Sequence, residues 1–162
     1  FGIAAYNYTS SVSIDMKVSN NSSITAIATG TTSDAGARGI WACGDEDNTV
    51  DINIEITNST ITVTSANVNN GYGIVNKANV GDIIITSGNI SGQTYGILNE
   101  ISTNTIQIGS KEAEISKYSP IISGGTYGIY GSNNVYFYNG SIKGLAETPY
   151  SGTPTILWLS SS

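Results

Sequence analysis

Isoleucine and valine recur at every second position in short bursts, as in Ile54-Glu55-Ile56, Ile83-Ile84-Ile85, Ile106-Gln107-Ile108 and Val135-Tyr136-Phe137. Alternation of this kind predicts short strands with one face turned inward. Runs of Ala, Leu, Glu and Lys that would favour helices are absent, and β-branched residues are spread throughout. The bursts sit inside a longer repeat. An (aromatic or Arg)-Gly-Ile motif occurs five times, as Phe1-Gly2-Ile3, Arg38-Gly39-Ile40, Tyr72-Gly73-Ile74, Tyr95-Gly96-Ile97 and Tyr127-Gly128-Ile129. The intervals between its glycines are 37, 34, 23 and 32 residues. Repeats of this length mark a solenoid, in which each unit packs only on its neighbours.

The shortest interval, Gly73 to Gly96, reads as the bare unit, with three strand-like stretches. Ile83 and Ile85 align with Ile54 and Ile56 before them, and with Ile106 and Ile108, then Val135 and Phe137, after them. Ile90 aligns with Ile24, Ile61, Ile122 and Ile142. Ile90 to Ile97 returns almost letter for letter as Ile122 to Ile129. Stacked at the inter-strand spacing of about 4.8 Å, these isoleucines form continuous apolar columns. The expected fold is all-β: a right-handed, single-stranded parallel β-helix of about 4–5 coils. It forms one domain over residues 1–162. Right-handedness follows from the strong bias of parallel crossovers.

The motif glycine is expected at a sharp bend, or at a φ that a Cβ would forbid. Asn76 and Asn99, each three residues after it, predict a short Asn ladder at a turn. Loop insertions are expected at 28–37, 43–49, 64–71, 109–120 and 145–155. The motif begins at the first residue and a further strand starts near Thr155. The chain therefore reads as a piece of a longer protein.

The stretch Ile106-Gln107-Ile108-Gly109-Ser110-Lys111-Glu112, then Ser119-Pro120-Ile121-Ile122-Ser123-Gly124 and Tyr127-Gly128-Ile129, resembles a repeat of large cell-surface proteins of Gram-positive gut bacteria. The resemblance covers about residues 72–144 well and the first 70 loosely. It implies a right-handed β-helix in a secreted, wall-attached protein, acting as a stalk or adhesive module. It carries no catalytic residues onto this chain.

Composition narrows the chemistry. Net charge is −6, with six Lys and Arg scattered singly, so no basic patch exists to neutralise phosphates and nucleic acid is not an expected partner. There is no His, and a single Cys43 excludes an internal disulfide. No apolar run approaches the length of a membrane span. The twelve acids do not recur in register, and the one Arg is Arg38. A polysaccharide lyase or glycoside hydrolase of the pectin-active β-helix type is the alternative function. It would require clustered carboxylates, yet Asp51 and Glu55 fall diagonal to Asp82, which aligns with Asn53.

Two candidate sites remain. Asp45, Asp47 and Asp51 supply the densest oxygen ligands, a weak calcium site at most; no other cofactor is expected. The row Tyr72, Tyr95 and Tyr127, with Trp41, forms the candidate surface for a glycan or a host or microbial protein. If that row binds sugar instead of simply stacking, Tyr95→Ala should remove binding and leave the melting temperature little changed. The expected function is a non-catalytic structural and adhesive module of a secreted, cell-surface protein.

Overall fold

The computed structural model describes residues 1–7, 12–33, 35–44, 50–101, 103–110, 119–131, 134–145, 149–151 and 155–158, the last four by backbone alone. The chain is all-β. It runs through β1 (Ile3–Asn7), β2 (Val12–Val18), β3 (Ser23–Ala28), β4 (Ala37–Gly44), β5 (Val50–Ile56) and β6 (Ser59–Ser65). β7 (Gly71–Lys77), β8 (Ile83–Ile85), β9 (Gly88–Gly92), β10 (Tyr95–Asn99) and β11 (Thr105–Ile108) follow. The last described strands are β12 (Ile121–Gly124), β13 (Tyr127–Tyr130), β14 (Asn134–Phe137), β15 (Ser141–Lys143) and β16 (Thr155–Trp158).

Every third strand returns to the same sheet. The first sheet has the order β1-β4-β7-β10-β13, the second β16-β14-β11-β8-β5-β2, and the third β15-β12-β9-β6-β3. All the strand pairings within them are parallel. This is a solenoid-like arrangement in which hydrogen bonds run between successive circuits of the chain.

The aligned isoleucines stack in register. In the second sheet Met16, Ile54, Ile83, Ile106 and Val135 pair in sequence, as do Val18, Ile56, Ile85, Ile108 and Phe137. In the third, Ile24, Ile61, Ile90, Ile122 and Ile142 do the same. The motif isoleucines add a column in the first sheet, Ile3, Ile40, Ile74, Ile97 and Ile129. Ile54, Ile83, Ile90, Ile97 and Ile106 are no more than 1% exposed, so these columns meet in one dry interior. Full burial of each such side chain contributes about 1.5–3 kcal/mol.

The motif glycine has another cause than a forbidden φ. None of the five motif glycines has a positive φ. A Cβ at Gly39, Gly73, Gly96 or Gly128 would instead lie 2.4, 2.6, 2.8 or 2.5 Å from Cγ2 of Ile61, Ile90, Ile122 or Ile142, respectively. The glycine lets the first sheet close against the isoleucine column of the third. Left-handed backbone occurs elsewhere, at Gly81, Gly88 and Gly140 and at Asn20, Asn21 and Asn58.

Two loop boundaries also differ from expectation. β4 continues to Gly44 and β6 to Ser65, because Cys43 and Ser65 still pair with Lys77 and Ala28. Asn76 and Asn99 do pair in register, but at the inner ends of strands and fully buried. Asn76 Oδ1 accepts from the Ala78 N–H and Asn99 Nδ2 donates to the Ile101 carbonyl, each tying down its own chain rather than its neighbour.

Candidate functional site

Each motif has the form X-Gly-Ile-Z, and the strand places X and Z outside while Gly and Ile face the interior. The X row is Arg38, Tyr72, Tyr95 and Tyr127, paired in register, with Phe1 before it in sequence position. The Z row is Ala4, Trp41, Val75, Leu98 and Tyr130. Rungs one strand apart bring these rings into contact.

Tyr72 and Tyr95 stack at 5.5 Å between ring centres, and Tyr95 and Tyr127 lie tilted at 6.0 Å. Tyr130 joins the group, stacked on Tyr95 at 4.6 Å and tilted to Tyr127 at 5.7 Å. At the other end Phe1 stacks on Trp41 at 4.6 Å. Arg38 lies between the two groups, its guanidinium 5.5 Å from the Phe1 ring and 5.7 Å from both Trp41 and Tyr72. The result is one continuous aromatic face on the first sheet. Val75 and Leu98 lie under it, 0% and 8% exposed yet outside the central core cluster.

The face thus unites all four aromatic residues singled out from the sequence, Trp41, Tyr72, Tyr95 and Tyr127. It also recruits Phe1, Arg38 and Tyr130. The signal for Tyr130 was present: Trp41 and Tyr130 both stand three residues after the X position. Tyr95 sits at the centre with three ring neighbours, each contact worth about 0.5–1.5 kcal/mol beyond burial. Removing it would therefore lower stability, unlike the little-changed melting temperature expected from the sequence. Tyr130, 38% exposed with two ring neighbours, is less enclosed.

The rings are amphipathic. Tyr72 donates its hydroxyl to the Asn69 carbonyl and to Asn70 Oδ1, anchoring the face to the loop before β7. The hydroxyls of Tyr95, Tyr127 and Tyr130 make no hydrogen bond among the described residues and point to solvent. Burial holds the Tyr72 phenol above the ordinary value of 10.0, while Arg38 and Lys77 pull it back. Burial also raises Tyr95, with the neighbouring phenols Tyr130, Tyr72 and Tyr127 adding to it. The neutral phenols therefore favour the folded state up to the ordinary tyrosine range, and that contribution is lost as pH rises through the shifted values. Urea midpoints are expected to hold up to about pH 10 and to fall above it. Tyr72→Phe/Tyr95→Phe should flatten that fall; an equally steep fall in this variant would refute the assignment.

The acidic residues are differently placed. Asp45 and Asp47 lie outside the described residues. Asp51, in β5, accepts a long bond from Ser13 Oγ at 3.4 Å, and its buried Oδ1 has no hydrogen-bond partner among the described residues. Among the described residues no group of three or more His, Cys, Asp or Glu could hold a metal ion.

On the second sheet Asp15, Asn53, Asp82 and Thr105 form one outer row. Asn53 donates to Asp15 at 3.1 Å and accepts the Asp82 N–H at 3.1 Å, while Asp82 accepts the Thr105 N–H at 3.1 Å. Glu55 is paired with Lys17 at 2.9 Å. These carboxylates tie successive circuits together, and Asp51 and Glu55 stand in rows beside Asp82, not above it.

The chain matches no family of known proteins, no curated protein sequence and no solved structure. Among the described residues no helix is long and apolar enough to cross a membrane.

Proposed function

We propose that this chain is a non-catalytic adhesive and spacer module, a right-handed parallel β-helix of about five coils, from a secreted surface protein of the Gram-positive kind. Its ligand is a glycan, held against the aromatic face of the first sheet. One observation carries the reading: half-buried rings lie side by side with solvent-facing hydroxyls on Tyr95, Tyr127 and Tyr130. Such a surface offers apolar ring carbons, those not covered by the neighbouring rings, to sugar C–H groups and phenol oxygens to sugar hydroxyls. It is also rigid, because each ring is fixed by neighbours on adjacent rungs, so little side-chain freedom is lost on binding. Right-handedness is supported by the general bias of parallel crossovers. A continuous parallel ladder suits a spacer, since each circuit adds the same rise and the same hydrogen bonds.

A glycan array tests the proposal. The chain should be retained by a subset of glycans, and Tyr130→Ala should weaken that retention by about tenfold, the equivalent of one lost ring contact of roughly 1.4 kcal/mol. The melting temperature of the variant should fall by less than that of Tyr95→Ala, because Tyr130 has two ring neighbours and Tyr95 has three. An array on which the unaltered chain is retained by nothing would end this reading.

A further inference from the structure

Arg38 interrupts an otherwise aromatic row. It occupies the position of Tyr72, Tyr95 and Tyr127, and its guanidinium lies over three rings. Two other cations of this acidic chain are neutralised across the rungs, Lys17 by Glu55 at 2.9 Å and Lys77 by Glu100 at 2.8 Å, while Lys143 stands exposed at the end of β15, away from the aromatic rings. The Arg38 side chain has no ion pair and no hydrogen bond among the described residues. Its Nε is buried against the rings, which leaves the two Nη groups as its solvent-facing donors.

We infer that Arg38 is the acid-recognition residue of the aromatic face, and that the ligand is a glycan bearing isolated carboxylates, such as a uronic or sialic acid set among neutral sugars. The inference rests on the proposed glycan binding. A planar carboxylate can accept from both Nη groups at once, a fork geometry that lysine cannot match. The rings beneath restrict the guanidinium and shield it on one side, so the charge is pre-aimed outward. The sugar carrying the acid then has the Tyr72 and Tyr95 rings beside it, 5.5 Å apart, for apolar contact with the next residues. Charge complementarity favours sparse acids over dense ones: the chain carries a net charge of −6, so a strongly charged polyanion would be repelled everywhere except at this point.

The row itself supplies a conservative variant. Arg38→Tyr restores the residue type found at three equivalent positions, preserving the stack while removing the charge. The probes are uronate- and sialate-bearing oligosaccharides, each beside its carboxyl-reduced counterpart, with heparin and poly-glutamate as comparators. The chain should bind the acidic forms at least about tenfold more tightly than the reduced forms. Added salt should narrow that gap. Arg38→Tyr should abolish the gap between acidic and reduced forms, and Arg38→Lys should retain only part of it.

Equal binding of acidic and reduced glycans would overturn the inference and leave glycan binding intact. An unchanged gap in a folded Arg38→Tyr would overturn the role of Arg38. Tighter binding of heparin, or equal binding of poly-glutamate, would overturn the ligand class. Retention by none of the sugars would remove the binding reading and this inference together.

Discussion

Ile90→Ala is expected to lower the unfolding free energy by about 4 kcal/mol, the upper part of the range for buried isoleucine truncation. Ile90 is 0% exposed, in the middle of a column with Ile61 on one side and Ile122 on the other. It also packs against Gly73 of the facing sheet. The cavity left by its removal is bounded by strands that are themselves paired on both sides, so collapse around it is restricted. In a solenoid the loss is shared with the neighbouring interfaces, and urea unfolding should lose cooperativity as well as midpoint. Ile142→Ala, in the same column but only partly buried, should cost about half as much. Equal losses at the two positions would contradict a single stacked core.

Gly73→Ala should cost about 3 kcal/mol, an overpacking penalty at the upper end of the usual range. The added methyl would lie 2.4 Å from the Gly96 carbonyl oxygen and 2.6 Å from Ile90 Cγ2. The first contact is with backbone, which has no rotamer to adopt, so the rung must separate. Gly30→Ala is the control: its Cβ would meet only the Ala35 methyl, at 3.0 Å, and the change should cost under about 1 kcal/mol. Both values can be read from urea midpoints at matched slopes. A Gly73→Ala variant as stable as the parent would show that the sheets do not close at the motif glycine.

Much of this architecture was legible in the chain. Alternation at Ile83 and Ile85 gave a strand, and the return of the same letters at Ile54 and Ile56 and at Ile106 and Ile108 gave its neighbours and their register. A slip of one residue would turn every isoleucine outward, so the hydrophobic pattern leaves a single pairing. The identity of the motif glycine was legible too, but its cause was not. The repeat alone points to a sharp bend or a special φ, whereas the fold places Gly39, Gly73, Gly96 and Gly128 against isoleucine methyls from another sheet. Nothing local to the chain reports that approach.

By itself, then, the sequence determined the all-β class, the repeat and the apolar columns, because period-two burial and motif spacing are properties of neighbours along the chain. Only the tertiary structure decided which side chains of the outer face touch. Stacking parallel strands brings Tyr72, Tyr95 and Tyr130 into ring contact although 23 to 58 residues separate them in pairs or end to end. It likewise sets Arg38 over Trp41 and Tyr72, and links Asp15, Asn53 and Asp82 through hydrogen bonds between rungs. Tyr72, Tyr95 and Tyr127 share the period of the motif, but Arg38, Trp41, Tyr130 and the polar row of the second sheet do not repeat from circuit to circuit, so which of these side chains touch is settled by how one circuit packs on the next.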